Sequence, residues 1–180
     1  MGTYYKTNYS SPLGIFTMAS DGKNLVGLWL EGQKYFGGSI KDVMIENDRL
    51  EVFTQTKRWL DEYFDGQKPE ISRLSLSPAG SEFRQRVWQI LCTIPYGKVM
   101  TYGEIASIIV KEKGRMSAQA VGGAVGHNPI SVIIPCHRVV GSNGSLTGYA
   151  GGIKTKIKLL ELEGVDTSKL YSPEKVLCSR

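Results

Sequence analysis

Cys136, His137 and Arg138 follow one another in the stretch ISVIIPCHRVV, and the chain holds only two histidines, His127 and His137. A cysteine beside an imidazole has two readings. Cysteine is among the most buried residue types, so Cys136 can be an inert core residue. It can also be a nucleophile. A thiol attacks only as thiolate, and its free pKa of about 8.5 must be lowered by a base, a cation or a helix N-terminus. In a regular strand adjacent side chains point to opposite faces. Pro135 removes a ladder donor and predicts a turn instead, which could bring thiol and imidazole together directly or through a water. A carboxylate on the other ring nitrogen would complete a Cys-His-acid arrangement. His127 has no comparable neighbours and reads as a loop residue at a helix end.

The rest of the composition narrows the setting. Cys92, Cys136 and Cys178 are too few and too widely spaced for a disulfide framework or a metal site. They fit a reducing compartment, where a thiol stays free. No apolar run approaches the roughly 20 residues of a membrane span, and MGTYYKTNYSS lacks the apolar core of a secretory leader. The expected location is therefore the cytoplasm or nucleoid, or the nucleus of a eukaryote. A net charge of +5 permits an anionic polymer as partner. Hydrophobic residues at 41% suffice for a packed core.

The elements that must position these residues divide the chain in two. TYYKTNY, IFTMAS and LVGLWLEG read as strands, with turns at SSPLG and at Asp21-Gly22. A helix fits roughly 48–64, where Leu50, Phe53, Leu60, Tyr63 and Phe64 share a face and Asp65-Gly66 ends it. GQKPEISRLSLSPAG reads as a linker. SEFRQRVWQIL then places Phe83, Val87 and Leu91 on one helical face. Thr101 and Glu104 form a capping-box pattern that starts a helix at Tyr102. KEKGRM reads as a polar connection to a helix in SAQAVGGAVGHN, the outline of a helix-turn-helix. ISVII reads as a strand, VVGSNGSLTGYAGG as a Gly-rich loop, and IKTKIKLLELEG as a helix. In that helix Ile153, Ile157 and Leu160 face inward, three lysines face outward, and Gly164 is the stop. The tail after it lacks periodicity and is expected to be loosely attached.

The blocks EFRQRVWQIL, IPYGKVMTYGEIA, AVGGAVGHNP, IPCHRVV, GSLTGYAGG and KLLELEG, spread over 77–164, resemble the O6-alkylguanine-DNA alkyltransferases, or methylated-DNA–protein-cysteine methyltransferases. The resemblance implies an α/β (α+β) fold. A ribonuclease-H-like, strand-rich domain would span 1–76, a mainly helical DNA-binding domain 77–166, and a tail 167–180. It also implies single-turnover transfer of an alkyl group from O6-alkylguanine, and in some cases O4-alkylthymine, to Cys136. The partner would be double-stranded DNA, bound by a monomer without cofactor or metal. The N-terminal half has no cysteine or histidine with which to hold the zinc of some relatives.

The same resemblance assigns roles. Cys136 is the acceptor, and His137 relays a proton through a water. Glu163 orients that histidine, Asn128 holds the active-site segment, and Tyr102 donates to the departing base. Tyr149, Ala150, Gly151 and Val139 would line the base pocket. Ser117, Ala118, Gln119, Ala120 and Gly122 would enter the minor groove, with Arg115 and Arg138 as further DNA contacts. The chain departs from the family pattern at Gln119, where an arginine wedge is common, and at Ala150, where a serine often follows the loop tyrosine. Arg115, one helical turn upstream, is the rival wedge. Three other readings compete. A non-transferring damage sensor would lack Cys136. A DNA-binding regulator would use the thiol as a switch. A Cys-His hydrolase would turn over repeatedly.

Overall fold

The computed structural model describes residues 2–173 and divides into two compact units. The first comprises the chain up to Ser81 together with Pro129–Ile133. The second comprises Glu82–Asn128 and the chain from Ile134 onward.

The first unit is built on a four-stranded sheet, β1 (Tyr4–Ser11), β2 (Gly14–Ser20), β3 (Leu25–Leu30) and β4 (Met44–Glu46), in the order β3-β2-β1-β4. β1 and β2 form a hairpin with Tyr9 opposite Phe16, and β4 adds parallel to β1. Along β2, Phe16 and Met18 are buried and Thr17 is less so, the period-2 alternation of a sheet with one packed face. Helix α1 (Glu51–Phe64) packs on β1 and β2 through Val52, Phe53, Trp59, Leu60 and Tyr63.

Two expectations fail here for one physical reason: the outer edge of β3 needs partners. The supposed linker is not free. Leu25 donates to Ser75 O at 2.8 Å and accepts from Ser77 N–H at 2.9 Å. ISVII is not a strand. Leu28 donates to Pro129 O at 2.8 Å and accepts from Ser131 N–H at 3.0 Å. Then Val132 turns the chain at φ 70°, a conformation rare for a β-branched residue. Both segments cap the open edge in short lengths.

The second unit is mainly helical: α2 (Glu82–Leu91), α3 (Tyr102–Lys113), α4 (Ala118–Gly126) and α5 (Ile153–Leu162). A two-residue parallel pair, β5 (Met100–Thr101) with β6 (Val139–Val140), ties the start of α3 to the chain just after Cys136. α4 packs against both α2 and α3, and Trp88 Nε1 donates to Ala124 O at 2.9 Å. α3 runs through Lys113, so Lys111, Glu112 and Lys113 belong to the helix and not to the connection. Glu112 pairs with Arg86, and Lys113 with Glu82. Val140, Leu146 and Leu160 form a buried cluster backed by Ile153, Ile157, Val165 and Leu170.

The described part of the tail is docked. Leu146 N–H donates to Tyr171 O, Tyr171 N–H donates to Gly144 O, and Ser172 is buried. The remainder of the tail, with Cys178, lies outside the described residues. Among the described residues no helix is long and apolar enough to cross a membrane.

Candidate active site

Pro135 ends the apolar run, and Cys136–Arg138 form a single 3₁₀ turn before β6. The turn is tethered at its start: Cys136 N–H bonds Ile134 O, and Asn128 Nδ2 donates to the same carbonyl at 2.8 Å. Asn128 also hydrogen-bonds the Cys136 side chain. Cys136 is 5% exposed. Burial pushes its thiol up from the ordinary value, opposed by the Asn128 hydrogen bond and the nearby Lys156 charge.

His137 is wholly buried and its Nε2 lies 2.6 Å from Glu163 Oε1. The carboxylate accepts, so Nε2 carries the hydrogen and Nδ1 is the basic nitrogen of the neutral ring. Glu163 is the C-cap of α5. Burial alone would raise its pKa, but the hydrogen bonds and charges of His137 and Arg138 prevail and hold it at about 2. Burial lowers the pKa of His137, aided by the charges of Arg138 and Lys156 and opposed by Glu163.

Tyr102 is the first residue of α3, fixed there by the capping box: Thr101 Oγ1 accepts from Glu104 N–H, and Glu104 Oε2 accepts from Thr101 N–H. Its hydroxyl donates to Thr147 O at 2.8 Å. Its ring faces Gly122 of α4, where an added Cβ would lie 3.9 Å away, and its hydroxyl faces Gly148. Gly122 thus lies against the Tyr102 ring at ordinary contact distance. Tyr149 is buried near Cys136, and its ring presses on the Gly151 backbone so closely that a Cβ there would sit 2.8 Å from Cε1. Ala150 and Gly151 remain partly exposed.

Ser117 caps α4 by accepting from Ala120 N–H, and Ala118, Gln119, Ala120 and Arg115 are exposed. Two expectations need correction. Arg138 does not face solvent: it is 7% exposed, bonds Glu163 through Nε and Nη2, and donates from Nη1 to Ile94 O at 2.7 Å. A guanidinium with those donors committed is not available to a phosphate. Val139 is fully buried in the β5–β6 pair, so its side chain lines no open pocket here. His127 caps α4, with Nδ1 at 2.7 Å from Gly123 O.

Lys156 is the residue that sequence reasoning missed. It is fully buried and donates to Val139 O at 2.5 Å and Thr147 O at 3.2 Å. Thr147 O thus joins Lys156 to Tyr102. The signal was present: Lys156 stands three residues after Ile153 and four before Leu160, on the inward face of α5. Gly97 was also missed. Its N–H donates to Glu163 Oε2 at 3.1 Å, and its φ of 76° favours glycine.

Residues 4–78 match the family model for the 6-O-methylguanine DNA methyltransferase ribonuclease-like domain, and residues 82–165 match the model for the DNA-binding domain of the same family. The methylated-DNA–protein-cysteine methyltransferase of Haemophilus influenzae is 40% identical, over 92% of this chain and 89% of its own length. That of Methanosarcina acetivorans is 42% identical, over 89% and 98%. Among solved structures, Mycobacterium tuberculosis OGT in complex with DNA superposes with a TM-score of 0.77 at 40% identity, over 93% of this chain and 94% of that one. An O6-methylguanine DNA methyltransferase from Methanococcus jannaschii gives 0.64 at 30%, over 89% and 94%.

Proposed function

The chain belongs to the methylated-DNA–protein-cysteine methyltransferase family, and on that premise we propose that it repairs O6-alkylguanine in duplex DNA by taking the alkyl group onto Cys136. The observation that carries this reading is a buried thiol hydrogen-bonded by Asn128, followed directly by a histidine whose far nitrogen is fixed by Glu163.

The reaction is an in-line displacement at a saturated carbon. The new S–C bond forms as the C–O6 bond breaks, and the bonding pair leaves with the guanine oxygen. The thiol proton passes to His137 Nδ1, directly or through a water. Glu163 keeps the ring in the tautomer that can receive it. The departing base takes a proton or strong hydrogen bond from the Tyr102 hydroxyl, which in the resting protein is spent on Thr147 O. At position 150 only a backbone N–H can help, because Ala150 has no hydroxyl. O6 lies inside the duplex, so the nucleotide must be flipped out. The exposed small residues at the start of α4 let its backbone approach the minor groove, and Arg115 and other surface cations meet the phosphates. Gln119 projects from the same turn and fills the place of the missing base. The thioether product has no easy hydrolysis, so each molecule acts once. The chemistry asks for no cofactor or metal, and a monomer in the cytoplasm suffices.

The test is incubation with a duplex containing one O6-methylguanine, followed by intact-protein mass and peptide mapping. The expected result is a single methylene increment on Cys136, at most one per chain. Cys136→Ser abolishes it while DNA binding persists, since no phosphate or groove contact uses the thiol. Repeated turnover without protein modification would sink the reading.

A further inference from the structure

Arg138 takes no part in the proton transfer itself, yet it holds Glu163 through two hydrogen bonds. The two carboxylate oxygens offer about four acceptor sites, and all are taken. Oε1 accepts from His137 Nε2 at 2.6 Å and Arg138 Nη2 at 3.0 Å. Oε2 accepts from Arg138 Nε at 2.8 Å and Gly97 N–H at 3.1 Å. The third arm of the guanidinium is anchored on Ile94 O, and its carbon lies 5.8 Å from the centre of the Tyr96 ring. Glu163 therefore cannot rotate without breaking a bidentate pair, which is more directional than a lysine contact.

The charges make a second point. Around His137 stand Glu163, Arg138 and Lys156, all buried. Glu163 and Arg138 cancel. A proton on His137 would leave the buried cluster with the uncompensated charges of His137 and Lys156. With Glu163 alone as neighbour, that proton would instead be welcomed. We propose that Arg138 is a positioning residue of the relay: its forked contact fixes Glu163 and cancels its charge, so that His137 stays neutral and ready to take the thiol proton. The pattern also accounts for the inward turn of a residue whose charge would otherwise be costly to bury. The assignment rests on the alkyl-transfer reading above, but its central readout does not.

That readout is the titration of His137 by ¹⁵N NMR, simplified because the chain has only two histidines. It is compared in wild type, Arg138→Met and Arg138→Lys, alongside the pH dependence of single-turnover transfer from an O6-methylguanine duplex. In Arg138→Met both the His137 midpoint and the acid limb of transfer should rise by about one pH unit or more, the usual effect of exposing a group to an uncancelled opposite charge. Arg138→Lys keeps the cation and loses the fork, so its midpoint stays near wild type while its plateau rate falls. A merely structural residue would lower the plateau in both and move neither midpoint. An unmoved midpoint in Arg138→Met, or an equal shift in both variants, overturns the proposal. If Arg138→Met does not fold, Arg138→Gln, which removes the charge but keeps hydrogen-bond donors, takes its place: a risen midpoint upholds the proposal and an unmoved one overturns it. If wild type takes no methyl group, the functional reading falls while the NMR comparison still judges Arg138.

Discussion

Lys156→Met tests whether a charge is truly held inside the second unit. Burial lowers the pKa of Lys156 from 10.5 to about 8, against the opposing pull of the Cys136 thiolate. The depression corresponds to roughly 3 kcal/mol at 1.36 kcal/mol per pH unit. The sign follows from proton counting. Between pH 8 and 10.5 the unfolded lysine is protonated and the folded one is not, so stability rises with pH across that window. The penalty is fully present below pH 8. Methionine keeps much of the side-chain bulk and does not titrate. It removes the penalty but leaves Val139 O short of a donor, at about 1–3 kcal/mol, while Thr147 O keeps the Tyr102 hydroxyl. The two proteins should therefore be close in stability at pH 7. Urea unfolding from pH 7 to 10.5 should show wild type gaining roughly 3 kcal/mol on Lys156→Met. Because Lys156 also lowers the Cys136 pKa, the variant's thiol should react more slowly with iodoacetamide at neutral pH. A stability difference that stays flat with pH would show that the Lys156 charge is hydrated in the folded protein.

Glu163→Gln leaves Arg138 buried without its carboxylate. The variant should lose about 3–5 kcal/mol in urea unfolding and transfer at least roughly tenfold more slowly in quenched flow, and an unchanged rate at neutral pH would remove Glu163 from the relay. Gln119→Ala should slow repair of duplex DNA by an order of magnitude or more, since flipping costs a few kcal/mol, yet leave reaction with free O6-benzylguanine nearly unchanged. Arg115→Ala should weaken DNA binding in proportion to one phosphate contact, seen as a shallower salt dependence; the reverse pattern would make Arg115 the wedge. Gly151→Ala forces the Tyr149 ring to move, because the new Cβ meets Cε1 at 2.8 Å. It should cost about 1–3 kcal/mol, and a neutral result in thermal unfolding would show that the ring is not held by the loop.

What the chain's own residues decide is local. The Thr101–Glu104 capping box, the Asp21-Gly22 turn, the stop at Gly164 and the break at Pro135 each involve atoms a few residues apart, and all were legible because their hydrogen bonds close within one turn. Cys136 beside His137 announced a chemistry for the same reason. Which side chain completes that chemistry was not local. Glu163 lies 26 residues from His137, and only the family resemblance singled it out before the fold brought it to 2.6 Å. The orientation of charge was misread twice, at Lys156 and Arg138, because a lone cation in a pattern is assumed to seek water. Tertiary structure overruled this by supplying carbonyls to one and a carboxylate to the other. ISVII failed as a strand because apolar continuity reports burial and not pairing. A strand also needs a free edge to run along, and the edge of β3 was shared between two short segments. Periodicity identifies which face turns inward. What waits there to receive it is decided by distant parts of the chain, and only folding brings those into contact.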